Sequence, residues 1–251
     1  MSLDCLTPIR SRLKTSSRAD TTKCFVNDLN RDLKIYVSEA KKLRKESPSD
    51  FHVWRLIRDF PTWYRSLHPA ASPISERTPW ITYGAIRFLA GYLKSNMRAY
   101  EYGTGGSTIF FAGRCREVFS CEHDPDWAEK VREALAASTA SNAHIEVREP
   151  VLDAKSLSKD PSDPDAYVSH SPSHRGFDFR WYVESIDQFP DEHFDVVLID
   201  GRARPSCAKH AIPKVAKGGR IILDNAERGA YLRVYDTKDA FDNRREINLS
   251  A

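Results

Sequence analysis

The sequence predicts an α/β protein with a doubly wound, mostly parallel sheet and a helical extension ahead of it. Three observations carry that expectation. Short strand-like segments alternate with helical patterns through the second half of the chain. Two of them, Asp195-Val-Val-Leu-Ile-Asp200 and Gly219-Arg-Ile-Ile-Leu-Asp224, have the unbroken apolar centres of strands buried on both faces. A glycine cluster, Gly103-Thr-Gly105-Gly106, stands at a strand-to-helix junction. At 251 residues the chain suffices for one large domain plus an appendage, and falls short of two full α/β domains.

The first elements lie outside the sheet. Residues 1–23 are Ser/Thr/Arg-rich without periodicity and read as a disordered, solvated tail. Arg10, Arg12, Lys14 and Arg18 among serines would also suit an organelle transit peptide, against which Asp4 and Asp20 speak. Residues 24–78 read as a helical extension that caps the next domain. In it Val26, Leu29, Leu33, Tyr36 or Val37, Ala40 and Leu43 recur every three to four residues, an amphipathic helix ending in the basic run 41–45. The aromatic, Pro-punctuated segment 51–78 predicts one or two short helices. Thr78-Pro79 signals the start of another helix, running to about Lys94 and opening the α/β domain of residues 79–251.

Within that domain, strands are expected at 97–102, 117–122, 144–148, 194–200 and 219–224. Helices are expected at about 106–114, 124–138, 180–187 and 205–216. Residues 149–179, rich in Pro, Ser and Asp, interrupt the rhythm as an insertion, read as a mobile lid or a disordered loop.

Composition excludes several classes. The net charge of +3 is too small for wholesale nucleic-acid or membrane-surface binding, and no apolar run reaches a membrane span. The N-terminus lacks the apolar stretch of a secretory leader. Five cysteines, none in a C-x-x-C pair, fit reduced thiols in a cytoplasmic setting.

The chemistry concentrates at predicted strand ends. In Glu101-Tyr102-Gly103-Thr104-Gly105-Gly106-Ser107-Thr108 the glycines let a ligand approach the backbone. Glu101 stands where a dinucleotide-binding strand places an apolar residue, and Thr108 stands where its third glycine should be. A carboxylate there repels a pyrophosphate and welcomes a cation. One strand later, Glu122-His123 is placed to take the two hydroxyls of a ribose; the bland reading of Glu122 is an acid that caps the following helix.

These two motifs resemble those of the class I S-adenosylmethionine-dependent methyltransferases, whose Rossmann-like fold the segment 79–235 follows. The resemblance implies that Glu101, Tyr102, Gly103, Thr104, Gly105, Ser107 and Thr108 line the methionine and ribose part of S-adenosylmethionine. It also implies that Glu122 holds the ribose, that His123 lies against the adenine, and that Asp200 borders the methyl-transfer site. Asp200, Asp224 and Asn225 further match the residue types with which the catechol-type O-methyltransferases hold a divalent cation. Their spacing is slightly shorter than usual. The set suits Mg²⁺. The alternative is that Asp200 only orients the methionine end while Asp224 caps a helix.

Arg202, Arg204 and Arg228 fall on the expected rim, either to meet an anionic or sugar-like acceptor, with Arg202 beside Asp200 as a catalytic candidate, or as solvated loop charges. Trp80, Tyr83, Trp127 and Tyr231 are pocket walls or core. His210 reads as structural. The D/N/S-P-P-aromatic motif of nucleic-acid amino-methyltransferases and the Pro-Cys nucleophile of cytosine-C5 enzymes are both absent. After Asn225 only one short strand is expected, around 244–249. The antiparallel pair that usually finishes the fold would be abbreviated, leaving a sheet edge for the N-terminal helix or a second copy to cover. The expectation is methylation of an oxygen, or less readily a nitrogen, of a small molecule. The rivals are a non-catalytic member of the fold and a nicotinamide-linked oxidoreductase.

Overall fold

Pairing in the main sheet is parallel throughout. In the computed structural model, which describes residues 21–46, 52–68, 71–138, 140–226, 231 and 247–248, the strands are β1 (Arg98–Tyr102), β2 (Glu117–Glu122), β3 (Ala143–Val147), β6 (Phe194–Ile199), β7 (Val215–Leu223) and β8 (Ile247–Asn248). Their order is β3-β2-β1-β6-β7-β8, so the chain runs outward from β1 to β3 and returns to β6 on the other side of β1. The crevice beyond the C-terminal ends of β1 and β6 is therefore the switch point at which open α/β sheets bind ligands.

Helices cover both faces, which is why the central strands are continuously apolar. Val196, Leu198 and Ile222 pack under α4 (Tyr83–Tyr92), α5 (Gly106–Ala112) and α6 (Pro125–Ala137), meeting Leu89, Phe111, Val131 and Leu135. Val197, Ile199, Ile221 and Leu223 pack on the opposite face with Tyr182 of α7 (Arg180–Val183) and Cys207 and Ala211 of α8 (Arg204–Lys214). Of the polar residue that opens the β6 motif, Asp195, the structure makes a tie: its Oδ2 accepts from the Arg98 amide at 2.8 Å, aligning the starts of two neighbouring strands. The described cysteines Cys115, Cys121 and Cys207 are free and buried.

The extension folds as α1 (Thr21–Glu46), α2 (Val53–Ser66) and the short α3 (Pro73–Glu76). The tail and transit-peptide readings of residues 1–20 lie outside the described residues. Of the face expected for α1, Tyr36 and Ala40 are buried, while Leu33 and the alternative Val37 are more than 40% exposed. Tyr36 anchors that face, packing 4.7 Å from the Trp63 ring and donating to Leu56 O at 2.8 Å.

Three further expectations are corrected. Thr78-Pro79 does not begin α4; Thr82 does, its hydroxyl accepting from the Ala85 amide. Thr78 is held back by its own bonds, amide to Pro73 O and hydroxyl to Glu76 O, which close the turn after α3. The insertion is not a structureless loop. Its ends pair as the antiparallel β4 (Val151–Leu152) and β5 (Phe177–Asp178), two 3-10 turns lie between them, and Tyr167 docks on α8 through its amide to Ser206 Oγ and its hydroxyl to His210. His210, also bonded to Asp187 at 2.7 Å, is structural as expected. Finally, among the described residues no antiparallel hairpin ends the sheet: β8 lies parallel to β7, Ile247 opposite Ile221, and covers that edge itself. A parallel neighbour needs a long crossover, for which residues 224–246 leave room. No described helix is long and apolar enough to cross a membrane.

Candidate functional site

Two loops meet at the switch point. Gly103 has a φ of 96°, which only glycine adopts freely, and a Cβ there would stand 3.1 Å from Gly201 Cα in the loop after β6. The loops are further tied by the Asp200 amide to Tyr102 O at 3.1 Å, while the Gly103 amide bonds Cys121 O at 2.8 Å. Gly106, the first residue of α5, lies under the extension: a Cβ on it would fall 2.1 Å from Pro73 O. The turn around α3 thus packs directly on the start of α5.

Glu101 ends up beneath that loop, fully buried. Its Oε1 accepts from Ser120 Oγ at 2.6 Å and from Thr108 Oγ1, while Oε2 has no hydrogen-bond partner among the described residues. Burial pushes its carboxyl up to about 7, against the lowering effect of the Ser107, Ser120 and Thr108 hydroxyls. Thr108 has a definite use where a third glycine was missing. Its hydroxyl accepts from the Gly105 amide at 3.0 Å and donates to Glu101, joining the loop to the buried acid.

Glu122, 3% exposed, is brought to the same loop. Its Oε2 accepts from the amide and hydroxyl of Thr104 at 2.8 and 2.9 Å. Its Oε1 accepts from the amides of His123 and Asp124 at 2.7 and 3.1 Å and lies 2.5 Å from His123 Nδ1. Burial alone would raise its pKa, but these donors outweigh it and leave the carboxyl below its ordinary value. Both oxygens are therefore taken by the protein. A ribose reaches Glu122 only if the Thr104 hydroxyl and the His123 ring turn away. The following helix is capped by Asp124, which accepts from the Trp127 amide, so the capping role does not fall to Glu122. Trp127 walls the loop, donating from Nε1 to Thr104 O at 2.8 Å.

The insertion adds a part that the sequence did not disclose. His174 stands edge-on to His123, ring centroids 5.0 Å apart, and Phe179 lies 5.6 Å from His174 and 5.9 Å from His123. Burial, then the positive charge of Arg202, then His123 hold the His174 pKa below its ordinary value, with Asp124 opposing. Arg202 is thus near enough to His174 for its charge to be felt there. Its Nε is buried with no hydrogen-bond partner among the described residues.

The tips of β6 and β7 bring Asp200, Asp224 and Asn225 together, but around an arginine. Arg204, expected on the rim, is only 8% exposed. It donates from Nη2 to Asp200 Oδ1 and O at 3.0 Å each, from Nη1 to Asp224 Oδ2 at 3.1 Å and Asn225 Oδ1 at 3.3 Å and to Asp224 O, and from Nε to Gly201 O at 3.1 Å. Burial and then the neighbouring Asp224 push the Asp200 carboxyl well above the usual carboxylate range, although Arg204 lowers it. The Mg²⁺ expectation is corrected on this ground: a guanidinium fixed between the two carboxylates occupies the place a cation would take. No cluster of His, Cys, Asp and Glu among the described residues would hold a metal. Asp224 lies in a turn, residues 224–226, and the helix it was expected to cap lies outside the described residues. Arg228 lies outside the described residues. Of the aromatic candidates, Tyr231 covers Arg204, 5.4 Å from its ring, and Tyr83 packs with Trp63 in the extension.

No protein-family model and no curated protein matches the chain. Among solved structures it is similar to the YcgJ protein of Bacillus subtilis, at 12% identity and a TM-score of 0.35 over 55% of this chain, and it spans about half (48%) of that protein's length. An rRNA methylase from Streptococcus thermophilus is similar at 15% identity and a TM-score of 0.40, covering 61% of this chain and 77% of its own. The Streptococcus mutans protein SMU.1697c, solved in complex with SAH, gives 16% identity and a TM-score of 0.41 over 61% of this chain and 79% of its own.

Proposed function

We propose that this chain is an S-adenosylmethionine-dependent methyltransferase acting on an oxygen of a small, anionic acceptor. The observation that carries the reading is the pair of acidic strand tips, Glu101 and Glu122, held on the glycine loop at the switch point through Thr108 and Thr104. The buried charge of Glu101, with one oxygen unpartnered, favours a cationic ligand over a pyrophosphate. When bound, the cofactor would supply a sulfonium methyl for in-line displacement. The residues then have separable tasks. Glu101 lends negative potential under the loop. Glu122 takes ribose hydroxyls in exchange for the Thr104 and His123 side chains, and the aromatic group of His123, His174 and Phe179 offers faces to a base. Arg202, two residues beyond Asp200 in the loop after β6, would anchor an anionic acceptor. Asp200, paired with Arg204 through Oδ1 and 28% exposed at its side chain, would border that acceptor. Positioning and exclusion of water would account for most of the rate.

The saturation of Glu122 favours a second reading, a protein that keeps the fold and binds no nucleoside. Calorimetry with S-adenosylhomocysteine and with NADH separates the possibilities. The proposal expects binding of the first and not the second, and a loss of about tenfold or more in affinity for Glu122→Ala, the worth of a charge-assisted hydrogen bond of ~1.5–3 kcal/mol. Absence of heat with S-adenosylhomocysteine sinks the proposal, and unchanged affinity in the variant removes Glu122 from the site.

A further inference from the structure

The oxygens around Arg204 form the kind of set a hard divalent cation takes: the Asp200 and Asp224 carboxylates, the Asn225 amide oxygen and the backbone carbonyls of Gly201, Asp200 and Asp224. They converge on a guanidinium instead. Local structure puts it there. Ala203 turns the chain through the left-handed region at a φ of 47°, and Arg204 then opens α8 one helical turn beyond Asp200, with Pro205 next. A cation at a helix N-terminus opposes the helix dipole, and the oxygens of Asp200, Gly201, Asp224 and Asn225 hold this buried arginine against it. The Tyr231 ring closes the cluster on another side.

We infer that Arg204 is the resident cation of the β6 and β7 tips: it fills the position that Asp200, Asp224 and Asn225 would give a divalent metal, and its removal opens that position. The inference rests on the cluster alone and stands apart from the cofactor reading. It makes any reaction at this site indifferent to chelators, and it turns Asp224 into a positioning residue that acts through Arg204 on the Asp200–Arg202 loop.

The test uses Mn²⁺ as probe, titrated into the EDTA-treated full-length chain, with the free-ion resonance read by electron paramagnetic resonance. The wild type is expected to leave Mn²⁺ free up to about millimolar concentration. Arg204→Ala, or Arg204→Gln as the variant that retains more side-chain volume, is expected to bind it. At Mn²⁺ or Mg²⁺ about ten times the dissociation constant the melting temperature of the variant would rise by roughly 3–6 °C, with none for the wild type. Binding by the wild type that Asp224→Asn removes would overturn the inference, and so would folded variants of Arg204 that take no metal. If neither variant folds, the wild-type titration decides. Binding of S-adenosylhomocysteine is scored separately, so either idea can fail without the other.

Discussion

Glu101 shows how a residue singled out in the sequence can be placed in an environment the sequence does not show. Its position ahead of the glycines made it a candidate, but the pattern gave no sign that it would be wholly buried, with Thr108 and Ser120 as its donors. Those partners come from α5 and β2, and a one-dimensional motif does not encode them. The burial has a measurable cost. A carboxyl raised from 4.5 to about 7 in the folded state destabilises it above pH 7. That cost fades as the pH falls and is absent below the unfolded value. Glu101→Gln should therefore gain on the wild type as pH rises from 5 to 8, by up to about 3 kcal/mol in urea unfolding. Parallel profiles would show that Glu101 does not titrate in that window. Arg204 is the converse case. Its spacing from Asp200 was visible, yet the inward turn depends on the left-handed backbone at Ala203, a conformation for which alanine gives no signal.

At the scale of elements, the strands were the most legible part, because doubly buried segments leave unbroken apolar runs: β2 falls where the pattern put it and β1 and β6 within a residue or so. The start of α4 was misplaced because Thr78 and Thr82 carry the same capping chemistry, and only the return of the chain from α3 decides between them. The insertion was illegible for a related reason. Its Pro- and Ser-rich composition looks loop-like, while its anchoring comes from single residues such as Tyr167. The packing of the turn around α3 on the start of α5 yields a direct test. Gly106→Ala forces a methyl against the Pro73 and Thr78 carbonyls, backbone atoms that cannot swing aside. A loss of about 1–3 kcal/mol is expected in thermal melting, the usual cost of overpacking. An unchanged midpoint would mean that this turn does not sit on α5.

Over the whole molecule, two cores line the faces of one sheet and a smaller third core, around Tyr36 and the fully buried Trp63, belongs to the extension. Separate cores predict separable stability. Trp63→Ala should remove about 3–5 kcal/mol from the extension. In hydrogen exchange, protection should then fall across α1 and α2 and persist in β6 and β7. A uniform loss would show that the extension and the sheet unfold together. The close approach of Gly103 and Gly201 reaches further than either loop. Each backbone is the other's wall, and the Tyr182 hydroxyl stands where a methyl on Gly201 would go. Neither position can accept a side chain while its neighbour stays still, so the two tips must diverge in concert over evolutionary time. A relative with a bulkier residue at one of them should show a rebuilt partner loop and a smaller ring at position 182.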